Sequence, residues 1–112
     1  MVTEARSASA SGDPFSALGD VHRRHILALL ADAPRSVGSL AEEIPISRPA
    51  VSRHLRVLKD AGLVTEERRG TRRFYDVHAD GLEAVDRYIR QIWGDASNRF
   101  RLLAENTASD GR

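Results

Sequence analysis

Residues 46–64 read Ile46-Ser47-Arg48-Pro49-Ala50-Val51-Ser52-Arg53-His54-Leu55-Arg56-Val57-Leu58-Lys59-Asp60-Ala61-Gly62-Leu63-Val64. Ser47 is a residue type whose side-chain oxygen accepts from the open amides at a helix start. Pro49 suits the first turn, where its missing N–H is not needed. Val51, Leu55 and Leu58 recur at i, i+4 and i+7 and so share one core-facing stripe, while Ser52, Arg53 and Arg56 fall on opposite or flanking faces. Gly62 is the natural stop. The stretch predicts a helix over 47–61, apolar on one side and cationic on the other.

On the N-terminal side, Ser36 can cap a short helix that buries Val37, Leu40 and Ala41 and ends near Ile44, because Pro45 disfavours helical geometry at the residue before it. Two helices joined at Pro45-Ile46 make a helix-turn-helix pair. On the C-terminal side, Leu63 to Glu67 and Arg72 to Val77 are short runs rich in Val, Thr, Phe and Tyr around Arg69-Gly70-Thr71, which reads as a β-hairpin over 63–77 with a cationic tip. The fold class expected is mainly α with a small β-hairpin, a winged helix-turn-helix.

Further out, Asp13-Pro14 opens a short helix carrying Phe15 and Leu18, and Gly19-Asp20 ends it. Asp20 then caps a helix through about Ala31 with Ile26, Leu29 and Leu30 on one apolar side. Asp80 is the expected cap of a last helix, in which Leu82, Val85, Ile89, Ile92 or Trp93, Ala96, Phe100 and Leu103 continue an apolar stripe to about Glu105. Gly94 interrupts its composition and can bend it, but the stripe resumes in phase. One domain is expected over 14–105, with disordered tails over 1–13 and 106–112, where Ser, Ala and Gly replace apolar periodicity.

Charge locates the function. The chain of 112 residues has a formal net charge of +1, but residues 47–73 hold eight Arg and Lys against three Asp and Glu, a local +5, while each flank carries −2. A basic segment in a nearly neutral protein is the footprint of nucleic-acid binding. A helix fits the major groove of B-form DNA, and Arg68, Arg69, Arg72 and Arg73 of the hairpin can reach an adjacent backbone or minor groove. Glu66 and Glu67 would repel phosphate, which leaves the arginines near the tip as the wing contacts. For Arg56 and Lys59 a merely solvated helix face is the competing reading.

Ala17-Leu18-Gly19-Asp20, Arg23-Arg24-His25-Ile26-Leu27 and above all residues 46–64 resemble the ArsR family of bacterial transcriptional repressors, over about residues 14–105. The Val21-His22 pair departs from the Pro-Thr often found there. The resemblance implies a homodimer built from the first and last helices and repression by operator binding. By motif position it places Ser47, Arg48, Pro49, Ser52, Arg53 and His54 on or near the recognition surface, joined by Arg56, although His54 can equally pack beside the core. Phe15, Leu18, Leu82, Val85, Ile89, Trp93 and Phe100 are the expected dimer interface, with Trp93 and Phe100 read as core or interface and not as a ligand box.

Other classes fail on residue chemistry. With no cysteine, there is no disulfide framework, thiol catalysis or thiolate metal site. Among metal-sensing relatives an Asp-x-His element is continued by His-x-x-Glu on the last helix. Asp76-Val77-His78 begins such a set, but positions 89 and 92 are both Ile. His22 and His25, at i and i+3, lack a third strong donor. The resemblance is therefore to the metal-independent repressors, with no metal and no cofactor. No nucleophile or acid–base constellation points to an enzyme, and no catalytic residue is assigned. A protein-interaction module using the last helix is the alternative, but it leaves the basic window unexplained. No apolar run spans a bilayer and the first residues lack a secretory pattern, so a cytoplasmic protein is expected. Its expected partners are double-stranded DNA and a second copy of itself, with no membrane; no effector is assigned.

Overall fold

The computed structural model describes residues 12–110, with side chains to Asn106. In chain order the elements are α1 (Pro14–Ala17), α2 (Val21–Asp32), β1 (Arg35–Ser36), α3 (Val37–Glu43), α4 (Arg48–Asp60), β2 (Val64–Arg69), β3 (Arg72–Val77) and α5 (Ala79–Asp110). They form two units, one running to Leu82 and one made of the helix from Glu83 onward.

Local chemistry sets most of the boundaries in the first unit. Asp13, Asp20, Ser36 and Ser47 each occupy an N-cap position, and each accepts from amides two or three residues on. Each cap contributes about 1 kcal/mol. Helix α4 closes in a Schellman arrangement, with the Gly62 amide donating to the Lys59 carbonyl and the Leu63 amide to that of Leu58, both at 2.9 Å. Gly62 takes φ +79°, a left-handed conformation that glycine adopts without a Cβ penalty. The hairpin turns on Gly70-Thr71, with Arg69 opposite Arg72. A positive φ at Gly70 (+62°) and not at Thr71 is the pattern of a type II′ turn, whose twist matches the strands.

The core lies under α4. Val51, Leu55 and Leu58 are fully buried, against Ile26, Leu27 and Leu30 of α2, Leu40 and Ile44 at the end of α3, and Leu63, Val64 and Tyr75 of the hairpin. The side facing away from this stripe is left to polar residues, as the periodicity requires. Truncating any of these leucines to alanine costs roughly 2–5 kcal/mol.

Several expectations need correction. The sheet has three strands, in the order β1-β3-β2, because Arg35 and Ser36 pair antiparallel with Tyr75 and Phe74. In α2 it is Leu27, not Leu29, that is buried with Ile26 and Leu30, since α2 meets both α4 and β3 and its buried face is turned toward the sheet. Val37 and Ala41 are only half-buried. Asp80 does not cap α5 but lies in its first turn. The start is fixed two residues earlier by His78, whose amide donates to the Leu63 carbonyl at 2.9 Å and whose own carbonyl accepts from Leu82. The glycine at 94 does not interrupt α5, which runs unbroken to Asp110, since no proline or further glycine stands before Gly111. The tail expected from residue 106 is therefore helical as far as 110. The expected N-terminal tail falls outside the described residues up to 11, but Gly12 is tied down, its amide donating to the Asp60 carbonyl at 2.9 Å. Among the described residues no helix is long and apolar enough to cross a membrane.

In the second unit no described side chain is buried, and Ile89, Ile92, Trp93, Phe100 and Leu103 are all exposed.

Candidate nucleic-acid interface

The exposed side of α4 carries Ser47, Arg48, Pro49, Ser52, Arg53 and Arg56. Ser47 also serves as the cap, its hydroxyl accepting from the Ala50 amide at 3.2 Å, which leaves its own proton for another acceptor. Pro49 has no N–H and the Ala50 amide is capped by Ser47, so it is the helix dipole together with the Arg48 guanidinium that makes this end favourable to anions.

Strand alternation divides the wing arginines between two faces. The register pairs Arg68 with Arg73 and Glu66 with Tyr75, and Glu66 and Tyr75 belong to the face that meets α4. The opposite face carries Arg69 and Arg72, whose guanidinium carbons stand 4.7 and 5.4 Å from the centre of the Phe74 ring. Stacking on one ring holds two cations near the tip in fixed directions. Arg69 is further paired with Glu67 at 3.2 Å, an exposed pair worth little in stability.

Two concavities join the helix to the wing. A groove of about 510 Å³ between α4 and the hairpin is lined by Ser52, Leu55, Arg56, Lys59, Asp60, Glu66, Arg73 and Tyr75. A smaller cleft of about 220 Å³ is lined by Ser36, Val37, Gly38, Arg48, Arg72 and Arg73. Three arginines line this cleft and no carboxylate does. Arg48 lies flat on the first turn of α3, because Gly38 has no side chain; an added Cβ would stand 2.9 Å from its Nη2 atom. The structure thus brings Ser52 and Arg56 together with Arg73, and Arg48 together with Arg72 and Arg73. It leaves Arg53 and Arg68 out of both concavities, as projecting exposed side chains.

His54 stands apart. It faces α2, where Arg23 Nη1 lies 3.2 Å from its Nδ1 atom, the Asp20 carboxylate is 3.8 Å away and the His22 ring centre 5.8 Å away. An arginine can only donate, so Nδ1 accepts and the ring is neutral. Burial holds the His54 pKa below the ordinary histidine range, against the opposing pull of Asp20. The Arg23 amide holds the Asp20 carboxyl below the usual carboxylate range, with the Arg23 guanidinium and the His22 amide adding to the effect. Arg23 also donates through Nε to the Ala17 carbonyl at 2.7 Å, and Arg24 to that of Leu18 at 2.8 Å, so this arginine pair satisfies the open carbonyls at the end of α1.

Sequence reasoning passed over Lys59, Glu66 and Tyr75 as site residues. The polar spacing Ser52, Arg56, Lys59, again i, i+4 and i+7, was the available signal for Lys59. Glu66 and Tyr75 needed the strand register. The residues of the incomplete metal set are otherwise engaged: Asp76 accepts from the Val77 amide at 2.8 Å, and the His78 ring lies 3.0 Å from the Gly62 carbonyl. Among the described residues no three His, Cys, Asp or Glu side chains gather closely enough to hold a metal ion.

The model of the bacterial regulatory protein, arsR family, matches residues 20–66, from the cap of α2 into β2. Over 96 residues the chain is 42% identical to the HTH-type transcriptional regulator Rv2034 of Mycobacterium tuberculosis, covering 86% of this chain and 90% of that one. The chain belongs to the arsR family. It is accordingly a transcriptional regulator with a DNA-binding winged helix-turn-helix domain, and not an enzyme. Another arsR-family relative is the transcriptional repressor SdpR of Bacillus subtilis, 36% identical over 62% of this chain and 77% of that one. Among solved structures, an ArsR-like transcriptional regulator from Rhodococcus sp. RHA1 superposes with a TM-score of 0.69 at 32% identity, covering 92% of this chain and 93% of that one. A homodimeric winged helix-turn-helix DNA-binding domain from Mycobacterium bovis matches with a TM-score of 0.58 at 28% identity, over 72% of this chain and 75% of that one.

Proposed function

We propose that the protein is a cytoplasmic repressor that binds a palindromic operator as a homodimer, with α4 in the major groove and the hairpin on the flanking backbone. The observation that carries this reading is the continuity of cationic surface from α4 into the wing through the two concavities, so that helix and hairpin can engage one stretch of duplex together. Arg53 and Ser52, projecting from the middle of α4, are the base-reading candidates. Arg48, Arg56, Arg68, Arg69, Arg72 and Arg73 are the phosphate-contacting ones, and Ser47 and Pro49 shape the helix entry. His54 positions α4 against α2 and does not read DNA. Dimerisation through α1 and α5 is supported by the exposed apolar side chains of α5 and by the homodimeric relative from Mycobacterium bovis.

Base contacts set specificity, whereas phosphate contacts set affinity and its salt dependence, so the two classes of residue must fail differently. Arg53→Ala or Ser52→Ala is expected to cost on the order of 1 to 3 kcal/mol on the operator and much less on random duplex. Arg69→Ala or Arg72→Ala should weaken both duplexes alike and reduce the salt slope by roughly one per lost phosphate contact. Titrations of both mutant classes over a salt series decide the assignment. A specificity ratio unchanged by the α4 substitutions would show that the reading head lies elsewhere.

A further inference from the structure

Two carboxylates line the groove between α4 and the hairpin, Asp60 and Glu66, and Glu66 is the one paired with its cations. Glu66 Oε1 accepts from Lys59 Nζ at 2.8 Å, and Arg73 Nη1 lies 3.3 Å from its Oε2 atom. Tyr75 stands directly across the strand pair from it and lines the same groove. The Glu66 side chain is only 19% exposed, against 52% for Lys59 and 56% for Arg73. The carboxylate therefore forms the floor of the groove and the two cations its rim. Glu67, the next residue, lies on the opposite face of the hairpin and pairs with Arg69.

This geometry sets up a competition. Lys59 and Arg73 keep further donors, but Glu66 already balances part of the charge they could offer to phosphate, and a cation neutralised by a carboxylate releases fewer counterions from DNA. The ionic hold is mutual: the Lys59 hydrogen bond keeps the Glu66 carboxyl low, and Glu66 keeps the Lys59 amine high, so both stay charged near neutral pH. A duplex on which α4 has not seated gains little by breaking these pairs. One on which α4 is seated presents its backbone to the groove at a fixed distance, where lysine and arginine can bridge carboxylate and phosphate.

We propose that Glu66 is a specificity-setting residue of the DNA interface, withholding Lys59 and Arg73 from phosphate until base contacts by α4 have seated the helix. The inference rests on the assignment of this face to DNA made above. It assigns Glu66 the suppression of non-specific binding, a role distinct from simple repulsion.

The test uses the full chain with Glu66→Gln, which keeps shape and removes charge, titrated against operator and random duplexes between 50 and 200 mM salt. Random-duplex affinity is expected to rise more than operator affinity, lowering the specificity ratio by about threefold or more. The random-duplex salt slope should steepen by about one to two per protomer, as the two cations reach phosphate. Glu67→Gln makes the same charge change on the other face and should lower the ratio less. Equal effects of the two substitutions would reduce the phenomenon to net charge and overturn the proposal. Lys59→Met supplies a second arm that does not depend on the folding of the Glu66 variant. It should cost random-duplex binding little beside Glu66 and most of the gain in the Glu66→Gln background, and strict additivity would overturn the proposal. If Arg53→Ala and Arg69→Ala weaken DNA binding while Glu66→Gln moves neither ratio nor slope, Glu66 alone is misassigned. If all three leave binding unchanged, the DNA face itself is wrong.

Discussion

His54 shows how one residue can be read two ways from sequence and only one way in space. It lies two positions from Ser52 and next to Arg53, yet its ring turns toward α2 and accepts from Arg23. Around it stand Asp20, Arg23 and His22 of α2 and Arg53 of its own helix, and burial outweighs the pull of Asp20 so that the ring stays neutral. A histidine whose pKa is depressed on folding takes up its proton first in the unfolded chain. Its stabilising contribution is therefore full above the unfolded value near 6.5 and is lost as pH falls through the folded one. Thermal melting should accordingly show stability declining on acidification below about pH 6.5. His54→Asn, which keeps an acceptor for Arg23 but cannot charge, should flatten part of that decline. Parallel pH profiles for the two proteins would sink this account.

Among the elements, the two helical glycines of α5 make a sharp contrast. A Cβ on Gly81 would collide with the Gly62 carbonyl oxygen, so the helix begins in direct contact with the C-terminus of α4. At Gly94 an added Cβ meets nothing within 4 Å. Gly81→Ala is expected to cost on the order of 1–3 kcal/mol, as over-packing does. Gly94→Ala should stabilise by up to about 1 kcal/mol through helix propensity. Denaturant titration of the two variants checks both signs; a Gly81→Ala protein as stable as the parent would refute the close approach. The same elements show what was legible beforehand. The four N-caps and the Gly62 stop depend on residues within five positions of each other, so sequence carries them whole. Strand β1 has two residues and exists only because β3 lies beside it, and two residues have no period to read. The role of Asp80 was misplaced for a similar reason, since His78 is fixed by Leu63 and Gly62, which are distant in sequence. The exposed polar face of α4 was legible because helical periodicity alone separates Ser52, Arg53 and Arg56 from Val51, Leu55 and Leu58. Glu66 was read as a liability because its pairing with Lys59 and Arg73 is created by register.

At the scale of the whole molecule, the second unit raises a problem of solvation. Ile89, Trp93, Phe100 and Leu103 are 52%, 67%, 55% and 55% exposed, and with Leu82, Val85, Ile92 and Ala96 they recur at three- and four-residue steps along one helix. Covering what remains exposed of such side chains is worth roughly 1–2 kcal/mol each, so several from each of two protomers supply enough to hold them together. The second copy of the chain proposed above would match a palindromic operator, since a two-fold protein presents two reading heads to two half-sites. Trp93→Asp should therefore shift the protein toward monomer at micromolar concentration and lower operator affinity, although it lies far in sequence from the basic window. It should also halve the salt slope, because one protomer brings half the phosphate contacts. Trp93→Phe, which keeps the apolar surface, should leave both properties near those of the parent. Sedimentation equilibrium and a salt-series titration on the same samples link the two effects. A parent protein that is monomeric at micromolar concentration with full operator affinity, or a Trp93→Asp monomer whose salt slope is unchanged, would separate DNA binding from the two-fold assembly proposed for it.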